Sequence, residues 1–556
     1  MLVKLLIPKY HHLITFLKIN DMKPKLLPLI YLFLLSGFYN ALGQQITKGL
    51  PRFEISFPAS VSEKPLTGRM FLIITKTDSI EPRLQVGRYG TQFFGVDFEN
   101  LKPGQSVTIS ASTLGYPVNA FNDIAPGNYY VQAVLCKYTE FKRSDGHTLW
   151  MHMDQWEGQD WRSSPGNAYS KVQKVGINET DSYGVALTAD KVIPPIEVPA
   201  DTKWVKHIKI RSELLSKFWG QSIYIGATIL LPNGYDENPG KHYPTIYQES
   251  HFSLNAPFRF NDDPENSFYK DWTSDGFPEF IAVTLQHPTP YFDDSYAVNT
   301  VNNGPYGDAI QQELIPEIEK QYRCIPEGWA RLLTGGSTGG WESFAVQVFY
   351  PDFYGGTWSL YPDPLDFRNV EGINIYADKN AFYKEHEWYK VPTINTRDRV
   401  TGEARLTSQQ RNTMELVNGT KGRSGGQLDI WSAVFGPVGD DGYFKPLFDK
   451  STGVIDPSVA QYWKENFDLR YYLEKNWTTV GPKLVGKLNV FCGRNDDFFL
   501  NFGVYYMEDF LTKTTNPNYA GSFTYGERGG HGWQPYSDGQ LIRVMDAYLK
   551  KTHPSL

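Results

Sequence analysis

Cysteine is scarce: Cys136, Cys324 and Cys492 are the only three in 556 residues. That excludes a disulfide framework, and their wide spacing excludes a clustered thiolate metal site. In an oxidising compartment they allow at most one internal pair. Apolar runs such as Val134-Leu135-Cys136 and Val490-Phe491-Cys492 favour buried free thiols instead. An excess of basic charge is also missing. The net charge of −7 excludes a dedicated nucleic-acid binder with a basic face. No phosphate- or dinucleotide-binding glycine loop occurs in a strand–helix setting. Long apolar runs are confined to one place. Lys23 and Lys25 precede an apolar run over 26–39, and Ala41-Leu42-Gly43 follows as a small-x-small cleavage site. This is the build of a secretory signal peptide, and the run is shorter than the roughly 20 residues a membrane span needs. Met22 is an alternative start, and an uncleaved anchor is the alternative reading. The expectation is a signal over 1–43, with the mature chain beginning near Gln44. It would be secreted or periplasmic, with no membrane span once the signal is removed.

What is abundant is aromatic: 14 Trp, 35 Tyr and 34 Phe suit β-sheet and carbohydrate-facing surfaces. The length exceeds the roughly 250–300 residues at which one hydrophobic core stops growing, so at least two domains are expected. Over 44–193, short alternating runs (52–57, 70–75, 92–98, 106–110, 129–135) are broken by Pro103-Gly104 and Pro126-Gly127. That pattern predicts an all-β, immunoglobulin-like sandwich. The loop over 146–167 carries Trp150, Trp156 and Trp161, which can stack sugars or, in the blander reading, wedge against a neighbouring domain. A proline-rich linker over 194–203 follows. From 204 to 556, strand-like runs alternate with helical ones at 309–322, 341–350 and 538–551. The prediction is an α/β domain with a mainly parallel sheet. The alternation breaks down over about 363–482, which reads as a long insertion covering the strand ends, where ligands bind in such folds.

Gly335-Gly336-Ser337-Thr338-Gly339 matches G-x-S-x-G, as does Gly422-Arg423-Ser424-Gly425-Gly426. Context separates them. Ser337 follows the apolar run 329–333 and precedes a helical one, the strand–sharp turn–helix of a nucleophile elbow. Ser424 has no strand before it and reads as a loop. A serine hydroxyl needs a base to take its proton. His531 lies among glycines between the strand-like run 522–525 and the last helix. The imidazole in turn needs an orienting carboxylate. Asp496, three residues after Gly493 at the end of an apolar run, is preferred, with its neighbour Asp497 left open. Acids at 293–294 follow a strand-like run; they could hold a metal, but solvated loop acids are the plainer reading. No metal or organic cofactor is required by this set.

From about Trp204 onward the chain resembles the putative-esterase (esterase D-like, enterochelin esterase-like) family of α/β-hydrolases. The resemblance rests on several segments. Thr228–Tyr235 is similar to the family's "LPxGY" element, Tyr243–Tyr247 to its "YPVLY" strand and Glu313–Glu319 to its "ELIPxIE" helix. The elbow, the Gly493–Asp496 turn and the His531 loop complete it. The order Ser337, Asp496, His531 is that of α/β-hydrolases. The family has His-Gly after the "YPVLY" strand, where a backbone N–H serves the oxyanion hole. Here those positions are Ser250 and His251, followed by Phe252. The resemblance therefore implies oxyanion donors at the N–H groups of Phe252 and Thr338, with His251 and Trp341 as substrate-binding candidates. The implied function is a secreted serine hydrolase cleaving carboxylic esters of small molecules or acyl-decorated glycans. Alternatives are amide hydrolysis or acyl transfer on the same triad, and a glycan-binding protein with a vestigial triad.

Overall fold

A computed structural model describes residues 52–152, 160–178 and 184–554; the expected leader and Trp156 lie outside them. The N-terminal part is all β. Nine strands between Arg52 and Val192 form one sheet; eight follow a single hydrogen-bonded path, and Gln173–Ile177 pairs off it with Gly127–Lys137. Its strand Gly184–Val192 pairs parallel with Arg52–Ser56 on one side and antiparallel with Ala168–Ser170 on the other. The path folds over itself, so Phe53, Ile55 and Leu187 from one end share a core with Met70, Leu72, Phe94 and Leu135 from the other. Two-sided packing of this kind is what alternating apolar runs demand.

One strand departs from simple alternation. All ten residues of Leu66–Thr75 are buried. Met70, Leu72 and Ile74 enter the inner core, while Phe71 and Ile73 enter a second cluster with Trp161, Leu406, Met414 and Val417. The outer face is thus covered by residues of the expected insertion. Trp161 stacks on Phe71 at 3.9 Å, and its Nε1–H donates to Asn418 Oδ1 at 3.0 Å, so it wedges between domains. Arg69 is almost fully buried there; it donates to Val417 O at 2.9 Å and pairs with Asp97 at 2.7 Å, which satisfies an otherwise costly charge. A hairpin, Thr139–Lys142 with Thr148–Met151, sends Phe141, Leu149 and Met151 into the core of the second domain. Residues 194–200 run exposed between the two domains.

The second domain carries eight strands: β1 Val205–Ser212, β2 Ile223–Leu230, β3 Thr245–Glu249, β4 Ile281–Gln286, β5 Arg331–Gly336, β6 Gly356–Leu360, β7 Leu488–Gly493 and β8 Ser522–Gly526. Their order is β1-β2-β4-β3-β5-β6-β7-β8. β2 runs antiparallel to both its neighbours, and every pair from β4 to β8 is parallel. This is the α/β-hydrolase arrangement. The helix expected over 309–322 is broken by a π turn, Ile310–Leu314. Pro316, which has no N–H to donate, opens the helical piece Ile315–Gln321 that follows.

The expected insertion forms two hairpins and a group of helices, among them Ser408–Asn418 and Gln427–Phe435. Its last helix, Leu469–Leu484, packs beside the helix α1 (Thr338–Phe349), with Phe349 and Tyr472 rings 5.1 Å apart, and leads into β7. That helix serves as the β6–β7 crossover, so the insertion proper is shorter than 363–482. No helix among the described residues is long and apolar enough to cross a membrane. All three cysteines are free and buried; burial pushes the Cys324 thiol up to about 12.

Candidate active site

Ser337 sits between β5 and α1 with φ 60° and ψ −119°, a region few non-glycine residues enter. Two hydrogen bonds from the end of β6 hold it there. Its N–H donates to Leu360 O, and its carbonyl accepts from Asp363 N–H, both at 3.1 Å. The motif glycines are required by space. A Cβ at Gly339 would lie 2.0 Å from Glu249 O, and one at Gly335 would lie 2.3 Å from Gly339 O. β3, β5 and α1 therefore touch backbone to backbone, and the hydroxyl is lifted into the cleft.

The structure brings three distant side chains together. His531 Nε2 lies 2.9 Å from Ser337 Oγ, and His531 Nδ1 lies 2.8 Å from Asp496 Oδ2. Asp496 is fully buried, and its Oδ1 accepts from the N–H groups of Phe498 and Leu500. Asp497 faces elsewhere: its Oδ2 accepts the backbone N–H of His531 at 2.7 Å. The two aspartates thus hold the ring and the backbone of one histidine. Tyr361 and Phe498 set their ring edges against the imidazole at 5.0 and 4.9 Å. Burial pulls the His531 pKa down, but the hydrogen bond and charge of Asp496 outweigh it and leave it raised. The insertion backs this arrangement. Arg397 donates from its backbone to Asp497 O at 3.0 Å and from Nε to Asp496 O at 3.1 Å, and Arg399 pairs with Asp497 at 3.3 Å.

Thr338 opens α1, where the first N–H groups have no intrahelical partner and the helix end is partly positive. The loop carrying Phe252 begins where β3 ends; a Cβ at Gly339 would meet Ser250 N at 3.1 Å, so the loop and the helix start are in contact. His251 lies on that loop, half exposed, and meets Asp293 at 3.1 Å and Asp294 at 2.8 Å. Burial opposes its charge, yet the two carboxylates lift its pKa well above the usual imidazole value. Asp293 and Asp294 are therefore partners of His251 rather than solvated loop acids, and Asp294 is buried. Trp341 is corrected by its surroundings. It is fully buried against Tyr296 and Phe435, with centroids 5.5 and 5.1 Å away, in the core rather than at the cleft surface. Ser424 is buried too; its Oγ accepts from Gly426 N–H and faces Glu415, with no imidazole beside it.

Two more features surround the elbow. Asp363 is buried beside the elbow. It accepts from Tyr296 Oη at 2.6 Å, Thr338 Oγ1 at 3.1 Å, Gln427 Nε2 at 3.2 Å and Trp431 Nε1 at 3.3 Å. Its only sequence signal was its place after β6. Behind the elbow, Glu249, His287 and Glu342 cluster with ligand-type atoms within 4.8 Å of one another. The Ser295 N–H donates to His287 Nδ1 at 3.1 Å, so the ring proton sits on Nε2, facing Glu249 at 3.6 Å. A metal-bound imidazole needs the opposite tautomer. Burial first, then the Asp294 and Glu249 carboxylates, raises the Glu342 pKa well above the usual carboxylate value.

Residues 223–429 match the model of the family described as "Putative esterase". A search of curated proteins finds no match. Similar solved structures include a ferulic acid esterase (15% identity, 62% of this chain and 97% of that one, TM-score 0.36). Another is an S-formylglutathione hydrolase from Staphylococcus aureus (14% identity, 62% and 99%, TM-score 0.33). A third is a ferulic acid esterase from Anaeromyces mucronatus (15% identity, 63% and 94%, TM-score 0.29). The family match thus lies within the second domain, which carries the α/β-hydrolase strand order.

Proposed function

We propose that the protein is an exported serine esterase acting through an acyl-enzyme on acyl-decorated oligosaccharides or polysaccharides. The observation that carries the catalytic part is the hydrogen-bonded chain from Ser337 Oγ through His531 to Asp496, at 2.9 and 2.8 Å. Ser337 attacks the ester carbonyl while His531 Nε2 takes its proton. Asp496 holds the ring with Nδ1 protonated and stabilises the imidazolium. The N–H groups of Thr338 and Phe252 receive the oxyanion; losing one such donor typically costs roughly 3–4 kcal/mol. The tetrahedral intermediate collapses, the imidazolium protonates the leaving alcohol, and water then repeats the sequence on the acyl-enzyme.

The signal-like pattern expected over 1–43 supports export, and the aromatic-rich cleft surroundings support a glycan-borne ester. The test is direct. Ser337→Ala should abolish turnover of short aryl esters and labelling by a fluorophosphonate, while Ser424→Ala stays active. Unchanged turnover in the Ser337 variant would end the assignment. Product analysis on acetylated xylan, a feruloylated sugar and a peptide panel separates the substrate classes.

A further inference from the structure

The N-terminal domain reaches the cleft. A cavity of about 320 Å³ lies between its loop at Val86–Arg88, the Trp161 wedge and the insertion, with Met414, Ser424 and Asp293 on the far walls. Its size falls at the lower end of ligand pockets, which run roughly 300–1,000 Å³. Ser337 is not in its wall, but two of its lining residues touch the machinery. Asp293 holds His251, and Arg88 lays its guanidinium over Phe498, 5.1 Å from the ring centroid. Phe498 also neighbours His531, with ring centroids 4.9 Å apart. Arg88 is therefore one aromatic ring from the catalytic imidazole.

Among the described residues no carboxylate forms an ion pair with Arg88. The other charged groups lining the cavity are matched: Asp160 with Arg162 at 2.7 Å, Asp293 with His251. The deeper carboxyls near Arg88 are engaged elsewhere: Glu371 accepts from Asn395 Nδ2, and Glu415 pairs with Arg411 at 3.2 Å. Burial and neighbouring Arg411 in turn lower the Arg88 pKa, as expected of a cation short of a partner. The loop is braced rather than loose. Tyr116 Oη donates to Arg88 O and Thr91 Oγ1 to Gln85 O, both at 2.8 Å, and Arg162 donates to Val86 O.

We propose that this interdomain cavity is a substrate subsite and that Arg88 recognises an oxyanion, carboxylate or phosphate, carried by the ester substrate. The proposal rests on the esterase reading of the same cleft and names its substrate class. A planar guanidinium suits such groups through paired N–H donors. The N-terminal domain then sets specificity, while the second domain does the chemistry.

The experiment separates this from the triad. In the Ser337→Ala background, where nothing is turned over, titrate glucuronate, glucose 6-phosphate and glucose by calorimetry. The expected result is binding of one or both anions, which tells carboxylate from phosphate, and at least tenfold weaker binding of glucose. Arg88→Gln should weaken the anion by about tenfold or more, and Arg88→Lys should restore part of it. In the active enzyme, compare aryl esters of a neutral acyl chain and of one ending in carboxylate or phosphate. Arg88→Gln should lower the anionic-to-neutral ratio of kcat/KM about tenfold, through KM. Equal binding of glucose and both anions, or a ratio untouched by Arg88→Gln, overturns the proposal even if Ser337→Ala is inactive.

Discussion

The two adjacent aspartates offer the most discriminating test of the site. Asp496 Oδ1 accepts two backbone N–H groups, at 2.9 Å from Phe498 and 3.2 Å from Leu500, and Oδ2 faces His531 Nδ1 at 2.8 Å. In Asp496→Asn the amide oxygen must stay with the two N–H donors, because an NH2 group there would face only donors. The NH2 group is then left against Nδ1 and forces that nitrogen to accept. The proton moves to Nε2, which points at Ser337 and can no longer take the hydroxyl proton. Such a tautomer error costs about 10⁴ in kcat, or roughly 5 kcal/mol of transition-state stabilisation. Asp497→Asn differs, since its side-chain oxygen can still accept the His531 N–H. It loses the pair with Arg399, whose side chain is 53% exposed, and such exposed pairs contribute roughly 0–1 kcal/mol. Its kcat should fall by less than about tenfold. Asp497→Ala strands a backbone N–H and should cost about 1–3 kcal/mol of stability. The assay is steady-state hydrolysis of an aryl ester, with circular dichroism to check folding. Asp497→Asn as inactive as Asp496→Asn would refute the division of labour.

Two further outcomes follow from the same geometry. His531 works as a base only when neutral, and the Asp496 charge leaves its pKa above the ordinary 6.5. The pH profile of kcat/KM should therefore fall on acidification with a midpoint above 6.5, and a midpoint below it would mean that burial outweighs the carboxylates. Gly339→Ala places a methyl 2.0 Å from a backbone carbonyl that cannot rotate away, whereas Gly402→Ala meets open space and only a positive φ of 76°. Denaturant titration should show the first losing about 3 kcal/mol or more and the second about 1 kcal/mol.

The sequence alone determined what depends on local pattern. Alternation along 52–135 specified strands, because side chains on a sheet repeat every two residues. The apolar run before Ser337 and the helical one after it distinguished the elbow from the Ser424 loop, which shares its motif. Glycines at 335 and 339 were legible as tight-turn residues before their clash distances were known. Strand β1 was not legible, because Lys206, His207, Lys209 and Arg211 interrupt its three apolar residues, Val205, Ile208 and Ile210. Only tertiary structure decided which aspartate faces the imidazole, since Asp496 and Asp497 are equivalent in pattern and differ in whether they meet the ring or the backbone of His531. Only tertiary structure showed Trp341 to be core and made Asp293 and Asp294 partners of His251. The same holds for Arg88 at the cleft and the insertion on Leu66–Thr75. These contacts join segments up to 348 positions apart, as between Arg69 and Val417. A one-dimensional pattern carries the period of each element; it carries no record of which faces meet once the elements pack.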